Sequence, residues 1–447
     1  MPNNHKSLQR YSVKKTLHLV SLGCTKNLVD SEVMLGRLQE YGMTDNPNMA
    51  DVIIVNTCGF IEAAKEESIN TILSLHEQRK DNSLLVMSGC LSERYQKELQ
   101  ESMPEIDIFT GVGDYERIDE LIIRKQSTFT PEVYLASDKA DRVITGSSYH
   151  VYIKIAEGCN QSCSFCAIPS FKGKLHSRAI SSIVKEVASL VESGFWDFSF
   201  ISQDSSSYGR DMQLSDGLIE LIGAVERIDG VKSARILYLY PSTTSFELID
   251  KISDSSVFHS YYDMPIQHIE NSMLKKMKRG FGEKKTIALL EHMRSKPNAF
   301  IRTSVIAGHS EESDDSFKTL CGFMEEFNFD RFNTFGYSNE ENTTAYDMKQ
   351  IPQEIIKQRA EILGEIAGKS TKISLNNMIG ETLDIVIDGK SDEHAYLLSA
   401  RPLQWAVDID GEILINDSGD ISVEYGKIYQ AKITELAGEK LLASIIR

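Results

Sequence analysis

Three textures of apolar and polar positions follow one another along this chain, and each predicts a different kind of domain. In the first third, short apolar runs alternate with amphipathic stretches. "LHLVSLG" reads as a strand, "VDSEVMLGRLQEYG" as a helix closed by glycine, "ADVIIVN" as a buried strand, "IEAAKEESINTILSLHEQ" as a helix and "SLLVMSG" as a third strand. Strands separated by helices predict an α/β fold with a parallel, doubly wound sheet. This N-terminal domain spans residues 14–130. The period is lost over residues 131–148, "PEVYLASDKADRVITGSS", which read as a linker.

The pattern restarts over residues 149–375. Strands "VYIKIAE", "FSFIS", "ARILYLY", "YYDMPI", "FIRTSVIAG" and "RFNTFGYS" are separated by helical stretches such as "ISSIVKEVASLVESG" and "DDSFKTLCGFMEEF". About six βα units predict a partial (βα) barrel, with functional residues at the C-terminal ends of its strands. A helix around "PQEIIKQRAEILGEIAGKSTKISL" leads out of it. Residues 376–447 change texture again, to short runs such as "TLDIVID", "HAYLLSA", "GEILIN" and "IYQAKITEL" with turn residues between them. That is the pattern of a small all-β barrel.

Composition narrows the function classes. The 447 residues are 41% hydrophobic and 25% charged, an ordinary globular balance for several domains. A net charge of −17 argues against coating nucleic acid and suits a basic partner. The start, "MPNNHKSLQRYSVKK", has no apolar core and reads as no export signal, and no run of about 18 apolar residues predicts a membrane span. Seven cysteines in such a chain belong to a reducing compartment, the cytoplasm, where their spacing points to metal or redox chemistry.

Those cysteines are not scattered. The three predicted N-terminal strands run into "SLGC" at Cys24, "VNTC" at Cys58 and "MSGC" at Cys90. Parallel strands bring their C-terminal ends to one edge, so three thiols converge there. Just after the first barrel strand, "EGCNQSCSFCAIP" sets Cys159, Cys163 and Cys166 in a C-x3-C-x2-C spacing. Such a loop can wrap three thiolates around an iron–sulfur cubane normally held by four, leaving one iron open. A zinc knuckle is the alternative, and it wants a fourth ligand that His176, beyond "PSFKGKL", is poorly placed to give.

The C-x3-C-x2-C motif at the start of a βα barrel resembles the radical S-adenosylmethionine superfamily. The wider set, "SLGCTKNLVDSE", "NTCGFIEAAKEES", "SGCLSERY", "GDYERI", "EGCNQSCSFCAIPS", "ISQDSSSYG" and "YYDMPIQH", resembles the methylthiotransferases over nearly the whole chain. It is most similar to the RimO branch, which modifies an aspartate of a small-subunit ribosomal protein. In the MiaB branch, which acts on a tRNA adenosine, the first motif is closer to G-C-Q-M-N and "PIQH" carries serine for histidine. "GCTKN" and "PIQH" therefore favour the ribosomal-protein enzyme.

The resemblance implies two [4Fe–4S] clusters, one on Cys24, Cys58 and Cys90 and a catalytic one on Cys159, Cys163 and Cys166. It implies reductive cleavage of S-adenosylmethionine at the catalytic cluster, removal of a hydrogen from the aspartate β-carbon, and delivery of methylated sulfur from the other cluster. An electron donor such as flavodoxin or ferredoxin and a sulfur donor are implied as partners. The C-terminal barrel resembles a TRAM domain, a substrate-docking module. Its residues 376–447 hold six Lys or Arg against 13 Asp or Glu, a net charge of −7 that attracts a basic ribosomal protein and disfavours tRNA.

Beyond the cysteines, Ser202, Gln203 and Asp204 follow a barrel strand and are candidate contacts to cofactor or substrate. Arg302, within a strand, is a candidate partner for the cofactor carboxylate or a member of a structural ion pair. Gln267 and His268 follow "YYDMPI" and face the substrate or pack inside; Cys321 reads as core. Three features depart from the family pattern. The G-F/H-P-G-E-T turn is here "GHSEES"; Lys172 stands for the usual Arg of the "IPSxRG" loop; and Trp405 and Val407 replace Asp and Pro in "ARPLQWAVDIDG", which bears on substrate docking. A tRNA-modifying enzyme and a non-catalytic iron–sulfur module that docks on ribosomes are the alternative readings.

Overall fold

A computed structural model describes residues 14–446, so all but the last two residues of "MPNNHKSLQRYSVKK" lie outside the described residues. Two compact units make up the chain: residues up to 134 with 140–143, and residues 135–139 with everything from 144 onward. The expected linker is irregular and alternates between the units: 131–134 and 140–143 belong to the first, 135–139 and 144–148 to the second.

The first unit is a five-stranded, all-parallel sheet. In chain order the strands are β1 (Thr16–Ser21), β2 (Gly42–Met43), β3 (Val52–Thr57), β4 (Leu84–Gly89) and β5 (Ile108–Phe109), arranged β2-β1-β3-β4-β5. β3 is buried along its whole length, as a central parallel strand covered on both faces must be. Helices α1 (Thr25–Arg37), α2 (Glu62–Gln78) and α3 (Cys90–Arg94) each follow one of the three central strands. Their register pairs Ser21 with Asn56 and Asn56 with Ser88, so the chain leaves all three strands at one edge.

The second unit holds two bodies in contact. A six-stranded parallel sheet forms the open barrel, ordered β13-β12-β11-β10-β9-β6. Its strands are β6 (His150–Lys154), β9 (Asp197–Ile201), β10 (Ser233–Ile236), β11 (Phe258–Asp263), β12 (Phe300–Ala307) and β13 (Arg331–Gly336). A two-residue hairpin, β7 (Ala156–Glu157) with β8 (His176–Ser177), closes the base of the cysteine loop. Then β14 (Thr382–Lys390), β15 (Leu398–Pro402), β16 (Ile413–Asp417), β17 (Ile428–Ala437) and β18 (Lys440–Ile445) form a closed barrel.

That small barrel seats on the N-terminal ends of the large barrel's strands. Arg401 pairs with Asp197, the first residue of β9, which also pairs with Arg235 at 2.7 Å. Asp410 lies 3.6 Å from Arg302, and Tyr152 Oη donates to the Val407 carbonyl at 2.6 Å. Trp405 is 2% exposed, lying beneath the Arg331 guanidinium at 4.8 Å and 6.1 Å from the Phe300 ring. Trp405 and Val407 therefore build the floor of the large barrel, a packing role that their sequence positions did not disclose. A buried Asp between two Arg is tolerated because each charge has a partner. Burial alone would raise the Asp197 carboxyl, but Arg235 and Arg401 hold it far below the usual carboxylate range.

Candidate metal centres

Cys24, Cys58 and Cys90 sit where the sequence places them. Cys24 is the N-cap of α1, Cys58 follows β3, and Cys90 opens α3. Cys24 is exposed, Cys58 half-buried and Cys90 buried. Gly23 makes the close approach possible: its φ is +86°, and a Cβ there would lie 2.6 Å from Cys58 Cβ and 2.9 Å from Cys58 Sγ. Burial pushes the Cys58 thiol up, and the neighbouring Cys24 adds to it. A metal centre reverses that preference, because binding it requires the thiolate. The positive end of the α1 dipole favours negative charge beside Cys24.

Asn27, the last residue of "GCTKN", ties the three strand ends together, a role its sequence position did not disclose. Its Nδ2 donates to the carbonyls of Leu22 and Thr57, both at 3.0 Å, and the Cys90 thiol reaches its Oδ1 at 3.7 Å. Asn56 then holds Asn27 in place by donating to its carbonyl at 2.9 Å.

The second cysteine loop begins at Gly158, whose φ is +75° and where a Cβ would lie 2.1 Å from the Lys174 carbonyl oxygen. Residues from successive strand ends hold this loop. Asp204, after β9, accepts from Gln161 Nε2 at 2.8 Å. Tyr240, after β10, places its hydroxyl 3.4 Å from Cys163 Sγ. Arg279 donates to the same sulfur at 3.3 Å. His309, after β12, meets the Ser164 hydroxyl at 3.1 Å. Burial pushes the Cys159 and Cys166 thiols up to about 12; Asp204 adds to the first and Cys163 to both. The three sulfurs are thus mutual neighbours, and burial favours the protonated form of Cys159 and Cys166.

Among the described residues no group of three or more His, Cys, Asp or Glu closes into a cage for a single metal ion. A cubane asks less of each triple, since each thiolate binds a different iron and the sulfurs stay apart. Two sets of three soft sulfur donors, each in a turn that a glycine lets close tightly, fit such a group. Cys321 is half-buried in the helix Asp314–Phe327 and belongs to neither set.

The other predicted contacts divide. Gln203 donates to Glu157, and its Oε1 is buried with no hydrogen-bond partner. Glu157 is itself buried between Lys154 at 2.7 Å and Lys172 at 3.6 Å. Burial would raise its carboxyl, but the two lysines hold it well below the usual carboxylate range. Ser202 is fully buried and bonded to Ser205 at 3.2 Å. Arg302 is engaged by Asp263 at 3.0 Å and by Asp410. His268 is buried; its Nδ1 accepts from the backbone N–H groups of Ile269 and Glu270 at 2.9 and 3.0 Å, so Nε2 carries the proton and points to Glu312 at 3.4 Å.

Comparison with known proteins agrees with this layout. Residues 16–111 match the uncharacterized protein family UPF0004, 153–324 the radical SAM superfamily and 379–446 the TRAM domain. The ribosomal protein uS12 methylthiotransferase RimO of Sulfurovum sp. (strain NBC37-1) is 75% identical over 434 residues, covering 97% of this chain and 99% of that protein. That of Aliarcobacter butzleri (strain RM4018) is 63% identical over 438 residues, covering 97% and 98%. Among solved structures, the radical S-adenosylmethionine methyltransferase TsrM from Kitasatospora setae, with tryptophan substrate and a SAM analogue bound, aligns over 75% of each chain with a TM-score of 0.54. At 13% identity that likeness shows a shared fold alone. Matched over nearly its full length at such identity, this chain belongs to the RimO family of radical SAM methylthiotransferases.

Proposed function

We propose that this chain attaches a methylthio group to the β-carbon of an aspartate in ribosomal protein uS12, using S-adenosylmethionine and two [4Fe–4S] clusters. The observation that carries the reading is the pair of cysteine triples, one at the C-terminal ends of three parallel strands and one in a single loop after the first barrel strand, each offering three thiols to a group that takes four ligands. No side chain can open an unactivated C–H bond, and the clusters with S-adenosylmethionine supply the electron, the radical and the sulfur-binding iron that the chemistry needs. The protein's part is to hold and orient them. Cys159, Cys163 and Cys166 hold the catalytic cluster, and Cys24, Cys58 and Cys90 the second. Gln203, with its buried unpartnered Oε1, is placed to receive a polar group of S-adenosylmethionine. Ser202 supports that loop from within, and Arg302 serves the cofactor only by leaving Asp263 and Asp410.

The acidic C-terminal barrel favours a basic protein substrate over tRNA. An electron donor such as flavodoxin or ferredoxin and a sulfur donor complete the set of partners. No helix among the described residues is long and apolar enough to cross a membrane. Mass spectrometry of ribosomal proteins and of tRNA hydrolysates, from cells with and without the gene, tests the reading. Loss of a methylthio mass from a uS12 aspartate is expected. Loss from adenosine instead would assign the tRNA reaction, and no loss from either would leave a non-catalytic module.

A further inference from the structure

Arg279 is 4% exposed, yet among the described residues no carboxylate forms an ion pair with it. A buried cation without a counter-ion is costly. What surrounds the guanidinium is the Cys163 sulfur at 3.3 Å, the Pro265 carbonyl at 2.5 Å and the face of the Tyr240 ring at 4.1 Å. Tyr240 in turn brings its hydroxyl to the same sulfur at 3.4 Å. The other two sulfurs are treated differently: Cys159 accepts a backbone N–H from Gln161 at 3.4 Å, and Cys166 is contacted by the backbone of Ile168. The Arg279 charge reaches all three sulfurs, but Cys163 alone is touched directly by the guanidinium and the phenol.

We infer that Arg279, braced by Tyr240, is a positioning residue whose counter-ion is the Cys163 thiolate, and that it raises the reduction potential of the cluster held by that loop. The inference rests on the iron–sulfur reading above. A cation and hydrogen bonds at a thiolate ligand stabilise the state with more electron density on the cluster, and so favour reduction. The stacked geometry explains why arginine is used: a planar fork can lie on Tyr240 and still point one N–H at sulfur and another at the Pro265 carbonyl, which a lysine cannot do.

The test uses the full chain with Cys24, Cys58 and Cys90 replaced by alanine, so that only this loop can hold a cluster. Arg279→Gln, Arg279→Lys and Tyr240→Phe are each built on it. Iron and sulfide content after anaerobic reconstitution is read first, then the midpoint potential by redox titration followed by electron paramagnetic resonance. The expected result is near-complete iron loading with a lower potential in all three, the largest fall in Arg279→Gln and the smallest in Tyr240→Phe. Unchanged potentials in loaded Arg279→Gln protein would reduce Arg279 to a packing residue and overturn the inference. Should Arg279→Gln fail to load, unchanged potentials in both Arg279→Lys and Tyr240→Phe overturn it equally. Failure of the parent protein to bind iron at all is a separate outcome, which removes the iron–sulfur reading itself.

Discussion

Asn27 shows what one side chain does at the N-terminal cysteines. Replacing it with leucine leaves the buried Thr57 carbonyl and the part-buried Leu22 carbonyl without their donor, at a cost of roughly 1–3 kcal/mol. Chemical denaturation of Asn27→Leu is expected to show that loss, together with lower iron retention; wild-type stability would refute it. His259 provides a pH test away from the cysteines. Burial, with help from Arg235, lowers its pKa from 6.5 to about 4, while Asp197 opposes the shift. The unfolded chain therefore binds the proton first on acidification. Its contribution to stability is intact above pH 6.5 and fades as the pH falls toward 4, by roughly 3 kcal/mol if the full shift applies. Asp197, paired with two arginines, is lost in the same direction at lower pH. His259→Gln is expected to flatten the slope of stability between pH 6.5 and 4, and an unchanged slope would rule the histidine out as its source.

At the scale of elements, the "GHSEES" turn keeps a left-handed residue without a glycine. Glu311 stands where that pattern has its second glycine and keeps a φ of +61°. Left-handed backbone costs a non-glycine residue about 1–2 kcal/mol, partly offset by the greater freedom glycine has when unfolded. Glu311→Gly is thus expected to raise the unfolding free energy by about 0.5–1 kcal/mol, since the Lys276 pair it loses is exposed and weak; a measured loss would show the strain to be absent. Such detail was not legible in the sequence, whereas the large elements were. All six strands of the open barrel announce themselves as apolar runs, and "DDSFKTLCGFMEEF" marks its helix from first residue to last. Strands of two residues, β2, β5 and β8, are too short to show a period, while β7 falls inside the run "VYIKIAE"; β18 alternates but was hidden behind the stronger run before it. The cysteines were legible because their spacing is local. Arg279, Tyr240 and His309 were not, because each reaches Cys163 or Ser164 from 77 to 145 residues away.

For the molecule as a whole, the C-terminal barrel is a structural member of the large barrel as well as an acidic surface. Truncation after Met378 removes Arg401, Trp405 and Asp410 from the floor and leaves Asp197 and Arg302 each short of a partner. Soluble yield and the cooperativity of thermal unfolding are expected to collapse; a truncated chain that melts like the full one would show the floor to be dispensable. Trp405→Ala alone is expected to cost about 3–5 kcal/mol, as removal of a fully buried indole does.

The small barrel joins the strand starts of the large one, while the cysteine loop is held at the strand ends. Five or six strand residues separate those levels, about 20 Å at the rise of a β-strand. A partner that grips the acidic module and also presents an aspartate to the cysteines must have that reach.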